Sequence, residues 1–248
     1  MIDVEIKKVH SKHFRKRTGD IEYIILHCSA FSIEKQLELL DEYKLSVHYI
    51  IGQNGDIVEN LDTKFVAYHA GISSWNGSLE KSLNEYSIGI ELEAPTLGQL
   101  KSDFTQKQFE SLVYLLNKLV KKHKIKRENI LGHSDISPTL KPDPGVGFFW
   151  KELACKGFGV WYDRRTLSKI TDEKELLVRI GYNIDNIYAT RHQFCRHFLG
   201  CEANFYKDVK ILVDEPYICD FLPINFDKYL KTLRAVAQSF DKSRNNNI

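Results

Sequence analysis

From about residue 21 to residue 154 the chain alternates short apolar or period-two runs with helical segments, and beyond residue 170 the short runs stop. That alternation commits the first part to an α/β fold, because strands of this kind bury their faces under the intervening helices. Tyr23-Ile24-Ile25-Leu26 is an unbroken apolar run, the pattern of a buried strand. Residues 47–51 and 56–59 flank Asn54-Gly55, a dipeptide that favours a type I′ hairpin turn. Ser87-Ile88-Gly89-Ile90-Glu91-Leu92-Glu93 alternates with period two and sets Gly89, Glu91 and Glu93 on one face. Ile33, Leu37 and Leu40 predict a helix over 33–43. A longer one begins at Thr105, where Gln108 completes a capping box. Its apolar stripe is Phe109, Leu112, Val113, Leu116, Leu119 and Val120, and Lys121, Lys122 and Lys124 suit the negative end of its dipole.

These signals divide the chain. Residues 1–20 read as a basic surface arm carrying Lys7, Lys8, Lys12, Arg15, Lys16 and Arg17. Residues 21–154 form the α/β domain, 155–170 a linker with Gly157 and Gly159, and 171–241 a small all-helical domain. Its helices are predicted over 172–180, 188–198 and 226–240, and 242–248 is a polar tail expected to fray. Charged residues make up 27% and hydrophobic ones 43% of 248, which argues against wholesale disorder. Thirty-five Lys and Arg against 33 Asp and Glu leave a net charge of +2, so no nucleic-acid partner is expected. No apolar run approaches the ~20 residues of a membrane span, and residues 1–8 lack the apolar stretch of a signal peptide. The cysteines (Cys28, Cys155, Cys195, Cys201 and Cys219) are odd in number and form no CxxC pair, so unpaired thiols are expected.

The segment 131–145 carries the clearest chemical signal. Pro138, Pro142 and Pro144 fix φ and remove backbone donors, which stiffens a loop holding His133 and Asp143 ten residues apart. Two neutral imidazoles and a carboxylate, with a fourth position left to water, make a catalytic zinc site. His27, at the carboxyl end of the first buried strand, is placed to supply the second imidazole. Asp135 is a rival carboxylate by spacing. His10, His13, His123, His192 and His197 lie in basic or helical surroundings and read as surface or packing residues.

Six stretches then share one family's order: 23–27, 46–51, Asn54-Gly55, Ala67-Tyr68-His69-Ala70-Gly71, 87–93, and Gly132-His133-Ser134-Asp135-Ile136-Ser137-Pro138 through Lys141-Pro142-Asp143-Pro144-Gly145. Over roughly residues 20 to 150 the chain resembles the zinc-dependent N-acetylmuramoyl-L-alanine amidases of the amidase-2 family, with AmpD-like and AmiD-like branches, which are related to the peptidoglycan recognition proteins. The resemblance implies a mixed central β-sheet flanked by helices and one Zn2+ per chain on His27, His133 and Asp143, with Asp135 in the loop frame. It implies Glu91 as the catalytic glutamate and Lys141 as the oxyanion-stabilising lysine. His48, His69 and Trp75 are expected to line the groove and contact glycan or peptide.

The implied reaction is hydrolysis of the amide between N-acetylmuramic acid, ordinary or 1,6-anhydro, and L-alanine, with peptidoglycan or muropeptides as the partner and a monomeric protein. The connection after His27 reads as a single helix, shorter than in cytoplasmic recycling members, which implies a more open site accepting both muramic acid forms. Residues 176–183 and 188–198 resemble a small peptidoglycan-binding domain of three helices, although 201–223 do not match it well. That pattern favours the periplasm, envelope or secretion, with the cytoplasm left open. The alternatives are a non-catalytic recognition protein, from which relatives usually lose a zinc ligand, and a zinc peptidase on the stem peptide, for which no HExxH helix is present.

Overall fold

A computed structural model describes residues 5–78, 82–200, 222–223 and 225–245. Cys201, Cys219 and nearly all of the 201–223 stretch lie outside the described residues. The strands are β1 Ile6–Lys8, β2 Arg15–Lys16, β3 Tyr23–Ser29, β4 Tyr49–Ile51, β5 Ile57–Glu59, β6 Phe65–Val66, β7 Ser87–Glu93 and β8 Ile130–Gly132. The helices are α1 Ile33–Glu42, α2 Gln106–His123, α3 His133–Ile136, α4 Trp150–Cys155, α5 Glu173–Ile180, α6 Ile187–Phe198 and α7 Phe226–Asn245. Six strands form a mixed sheet in the order β1-β5-β4-β7-β3-β8. Strands β4, β7, β3 and β8 run parallel, and β5 turns back antiparallel to β4.

The period-two pattern decides what each face meets. Ile24 and Leu26 of β3, with Ile88, Ile90 and Leu92 of β7, point to one face and pack under Leu112, Leu115, Leu116 and Leu119 of α2. That helix starts in the expected capping box, in which the Thr105 hydroxyl accepts from Gln108 N–H and the Gln108 side chain accepts from Thr105 N–H. On the opposite face Tyr23, Ile25 and Leu131 share a single apolar cluster with Leu176, Leu177, Ile180, Phe194, Leu233 and Val236 of α5, α6 and α7. The helical segment is therefore laid on the sheet and shares its core.

Four expectations change. The 1–20 arm lies at the surface as expected but adds strands the sequence did not show: β1 pairs parallel with β5, and β2 antiparallel with β6. An edge strand needs only backbone hydrogen bonds, so it leaves little apolar periodicity to read. Arg17 is half-buried and donates to the carbonyls of Thr63 (3.1 Å), Phe65 (2.8 Å) and Ser87 (3.0 Å). The hairpin turn is not type I′. Only Gly55 in it has positive φ (88°), and Gly52 N–H donates to Asp56 O at 3.0 Å across a three-residue loop. That loop asks for one left-handed residue where type I′ asks for two. The tail does not begin at 242, because α7 runs to Asn245 and Arg244 donates to Ile180 O (2.8 Å) and Asn76 Oδ1 (2.9 Å); residues 246–248 lie outside the described residues. Trp75, finally, is no groove residue. It is 1% exposed, packed edge-to-face on Tyr182 with centroids 4.9 Å apart, inside the cluster under the helical layer.

Candidate metal centre and active site

On the face away from α2, the carboxyl end of β3 is left uncovered by the helical layer's apolar packing, and the polar residues gather there. His27 sits in register with Glu91 on neighbouring parallel strands. His133 opens α3 directly after β8, which also pairs with β3. The proline-rich loop returns Asp143 to the same point, and Ser134 N–H donates to Asp143 O at 2.9 Å to close it. Behind the loop, Gly98 lies so close that an added Cβ would sit 1.8 Å from Pro144 O; at φ +69° it also holds a backbone conformation suited to glycine.

The result is a compact donor set. His27 Nδ1 and His133 Nδ1 are 3.0 Å apart, and each is 3.1 Å from Asp143 Oδ2. These are the only three His, Cys, Asp or Glu side chains among the described residues grouped to hold a metal ion. The remaining ring nitrogens are oriented by protein. His27 Nε2–H donates to His69 Nδ1 (2.9 Å), His69 Nε2–H to Ser87 Oγ (3.2 Å), and Ser87 Oγ–H to Leu83 O (2.7 Å). His133 Nε2–H donates to Ala70 O at 3.3 Å. Both Nδ1 lone pairs are thereby aimed inward, the tautomer a metal ligand needs. Burial lowers the His27 pKa to about 4, helped by the neighbouring His133 and opposed by Asp143. Burial works against the Asp143 charge, yet His133 and His27 outweigh it and hold the carboxyl below its ordinary range. Two inward-facing imidazole nitrogens beside an ionised carboxylate fit a divalent cation.

Glu91 faces this set from β7. Burial pushes its pKa up to about 8, Asp143's charge adds to the rise, and Lys141 opposes it. Its Oε2 is buried with no hydrogen-bond partner, as suits a carboxylate waiting for a water or a substrate proton. Lys141, half-buried two residues before Asp143, is near enough for its charge to act on both Glu91 and His27. Asp135 takes the frame role: it is 1% exposed and accepts from Gly132 N–H at 2.8 Å, away from the donor set.

One histidine differs from expectation and a second has a further role. His48 is fully buried, with Nδ1 accepting from Gly89 N–H (3.0 Å) and Nε2 donating to Phe65 O (3.2 Å), so it packs the sheet and cannot line a groove. His69 stands behind His27 with both ring nitrogens engaged inside the protein. Sequence reasoning missed this support role, although a signal existed. Gly89 on β7 leaves the space that the His69 ring fills, and an added Cβ there would lie 2.6 Å from His69 Cγ.

The amidase-2 family profile, described as N-acetylmuramoyl-L-alanine amidase, matches residues 17–146, which hold the whole donor set. The chain belongs to this amidase family. AmiD of Escherichia coli (strain K12) is 32% identical over 199 residues, spanning 70% of this amidase and 71% of that protein. The 1,6-anhydro-N-acetylmuramyl-L-alanine amidase AmpD of Haemophilus influenzae is 31% identical over 170 residues, 59% of this chain and 89% of that one. The solved complex of E. coli AmiD with anhydro-N-acetylmuramic acid-L-Ala-D-gamma-Glu-L-Lys superposes with a TM-score of 0.68 at 26% identity, covering 94% of this chain and 98% of that one. The fold of AmpDh3 from Pseudomonas aeruginosa also matches, with a TM-score of 0.65 at 23% identity over 86% of this amidase and 96% of that chain. The likeness to AmiD extends past the sheet into the helical layer.

Proposed function

We propose that this amidase is zinc-dependent and hydrolyses the bond between N-acetylmuramic acid and the L-alanine of the stem peptide. The observation that carries the reading is the convergence of His27 Nδ1, His133 Nδ1 and Asp143 Oδ2 beside the unpartnered Glu91 Oε2. The substrate seen with the E. coli relative supports the class of bond. Bound by His27, His133 and Asp143, zinc supplies Lewis acidity toward the lactyl carbonyl and acidity toward a water. Glu91 takes a proton from the attacking water and gives it to the alanine nitrogen as the C–N bond breaks. Lys141 offsets the negative charge that builds on the carbonyl oxygen. Trp75 and His48 contribute packing, and His69 orients His27.

The connection from His27 to β4 holds one helix, α1, which supports the broader specificity for ordinary and anhydro muramic acid. The likeness of residues 176–183 and 188–198 to a small peptidoglycan-binding domain supports wall anchoring by the helical layer. No helix among the described residues is long and apolar enough to cross a membrane. The test is digestion of purified sacculi and anhydro-muropeptides with and without a chelator, read by mass spectrometry. Chelator-sensitive release of intact stem peptide from both is expected. Release from anhydro-muropeptides alone would overturn the broad specificity, and bound zinc without release from either would overturn catalysis.

A further inference from the structure

The loop that carries the metal donors is closed by its own backbone bonds and is also held from outside. Its one helix, α3, is a single turn of four residues, and Pro138, Pro142 and Pro144 offer carbonyls but no N–H groups. Ser74 N–H donates to Ile136 O (2.9 Å) and Cys28 Sγ to Pro144 O (3.5 Å), and further side-chain donors come from α6 and from Tyr182 just before it. The Tyr182 hydroxyl donates to Asp135 Oδ1 at 2.7 Å, and His197 Nδ1–H donates to Asp135 Oδ2 at 2.9 Å. Arg196 Nη2 donates to Pro142 O at 3.0 Å, and Gln193 Nε2 to Pro138 O at 3.4 Å. Residues 193, 196 and 197 are three and four apart, so they line one face of α6. Asp135 is 1% and Arg196 2% exposed, which leaves neither group water to fall back on. The His197 ring is itself held flat against Trp150, with centroids 4.0 Å apart.

These contacts meet the loop at two chosen places. Asp135 stands two residues after His133, and Pro142 stands between Lys141 and Asp143. We propose that His197 and Arg196 are positioning residues for the metal centre. His197, through Asp135, sets the limb carrying His133, and Arg196, through the Pro142 carbonyl, sets the limb carrying Lys141 and Asp143. The helical layer is on this view part of the metal centre, whatever it does toward the cell wall. The inference rests on the zinc reading given above.

The experiment uses the whole chain and measures zinc affinity by competition with a chromogenic chelator, alongside kcat and KM on a muropeptide. His197→Phe keeps a ring against Trp150 and removes the donor, whereas His197→Asn returns an N–H near the place of Nδ1. Arg196→Met keeps length and removes the charge and donors. Leu233→Ala, buried in the same layer and making apolar contacts only, serves as a control for general destabilisation. H197F and R196M are expected to weaken zinc binding about 10–100-fold, the usual scale for groups that orient a ligand. KM should not change, H197N should recover most of the affinity, and L233A should lower the melting temperature while leaving zinc affinity intact. Zinc affinity unchanged in H197F and R196M, or lowered equally in L233A, would overturn the proposal; should R196M not fold, the H197F and H197N pair decides it. A wild-type chain that takes up no zinc overturns the zinc reading as well, which separates the two failures.

Discussion

Two ends of one sheet face show opposite ways of burying residues. At the amino end of β3, Ile25 and the ring of Tyr23 disappear under α5, α6 and α7, where contact is almost wholly apolar. At the carboxyl end of the same strand, His27 is just as buried at 2% exposure, yet every polar atom around it needs a partner. The apolar end tolerates any well-shaped neighbour. The polar end is a chain of obligatory contacts from Leu83 through Ser87, His69 and His27 to His133 and Asp143. Stability should therefore reside at one end and chemistry at the other.

The largest effect expected from breaking this division is at the donors. Asp143→Ala should abolish stem-peptide release and tight zinc uptake while the protein stays folded, as circular dichroism and metal analysis would show. Glu91→Gln should keep zinc and lose about 10²–10⁴-fold in kcat, the span of general acid–base catalysis; near-normal turnover with zinc bound would remove Glu91 from the mechanism. Gly89→Ala sharpens the comparison, because its methyl group would push on the His69 ring 2.6 Å away. Zinc affinity should fall by about 10–100-fold with little change in KM. At the other end, Leu177→Ala should cost about 2–5 kcal/mol of stability in denaturant melts and leave kcat per folded molecule unchanged.

The smallest effect is a pH dependence of the metal-free protein. Glu91 has a folded pKa of about 8 against an ordinary 4.5, so the native state holds a proton that the unfolded chain has given up between those values. Its contribution therefore falls as pH rises from about 4.5 to 8. His27, lowered to about 4 from 6.5, acts in the opposite sense and adds stability as pH rises across that lower range. Comparing wild type with E91Q isolates the first slope: the variant should lose the decline above pH 6.5, and parallel curves would contradict the burial assigned to Glu91.

Much of this was legible in the residues because it is local. The hairpin, the capping box at Thr105 and the alternation of β7 each rest on neighbours a few positions apart, and the structure keeps all of them apart from the turn type. The donor set was legible only with the family's pattern, since spacing left Asp135 and Asp143 as rivals. Trp75 and His48 misled because an aromatic ring near a glycine-rich loop looks the same in sequence whether it lines a groove or fills a core. Arg17 misled in the reverse way: a basic residue in a basic stretch turned out to be tied to buried carbonyls.

By itself the sequence determined the longer strands and helices, the stiffness of the 131–145 loop and the residue types able to hold a cation, because periodicity, caps and prolines act through short-range sterics and hydrogen bonds. Only the tertiary structure decided which of those residues meet. His27 and His133 are 106 positions apart and His27 and His69 are 42 apart, and their contact depends on parallel strand register and on a glycine that admits a ring. The same long-range packing turned the helical segment into the support of the metal loop, since a buried carboxylate such as Asp135 must find its donors wherever the fold brings them.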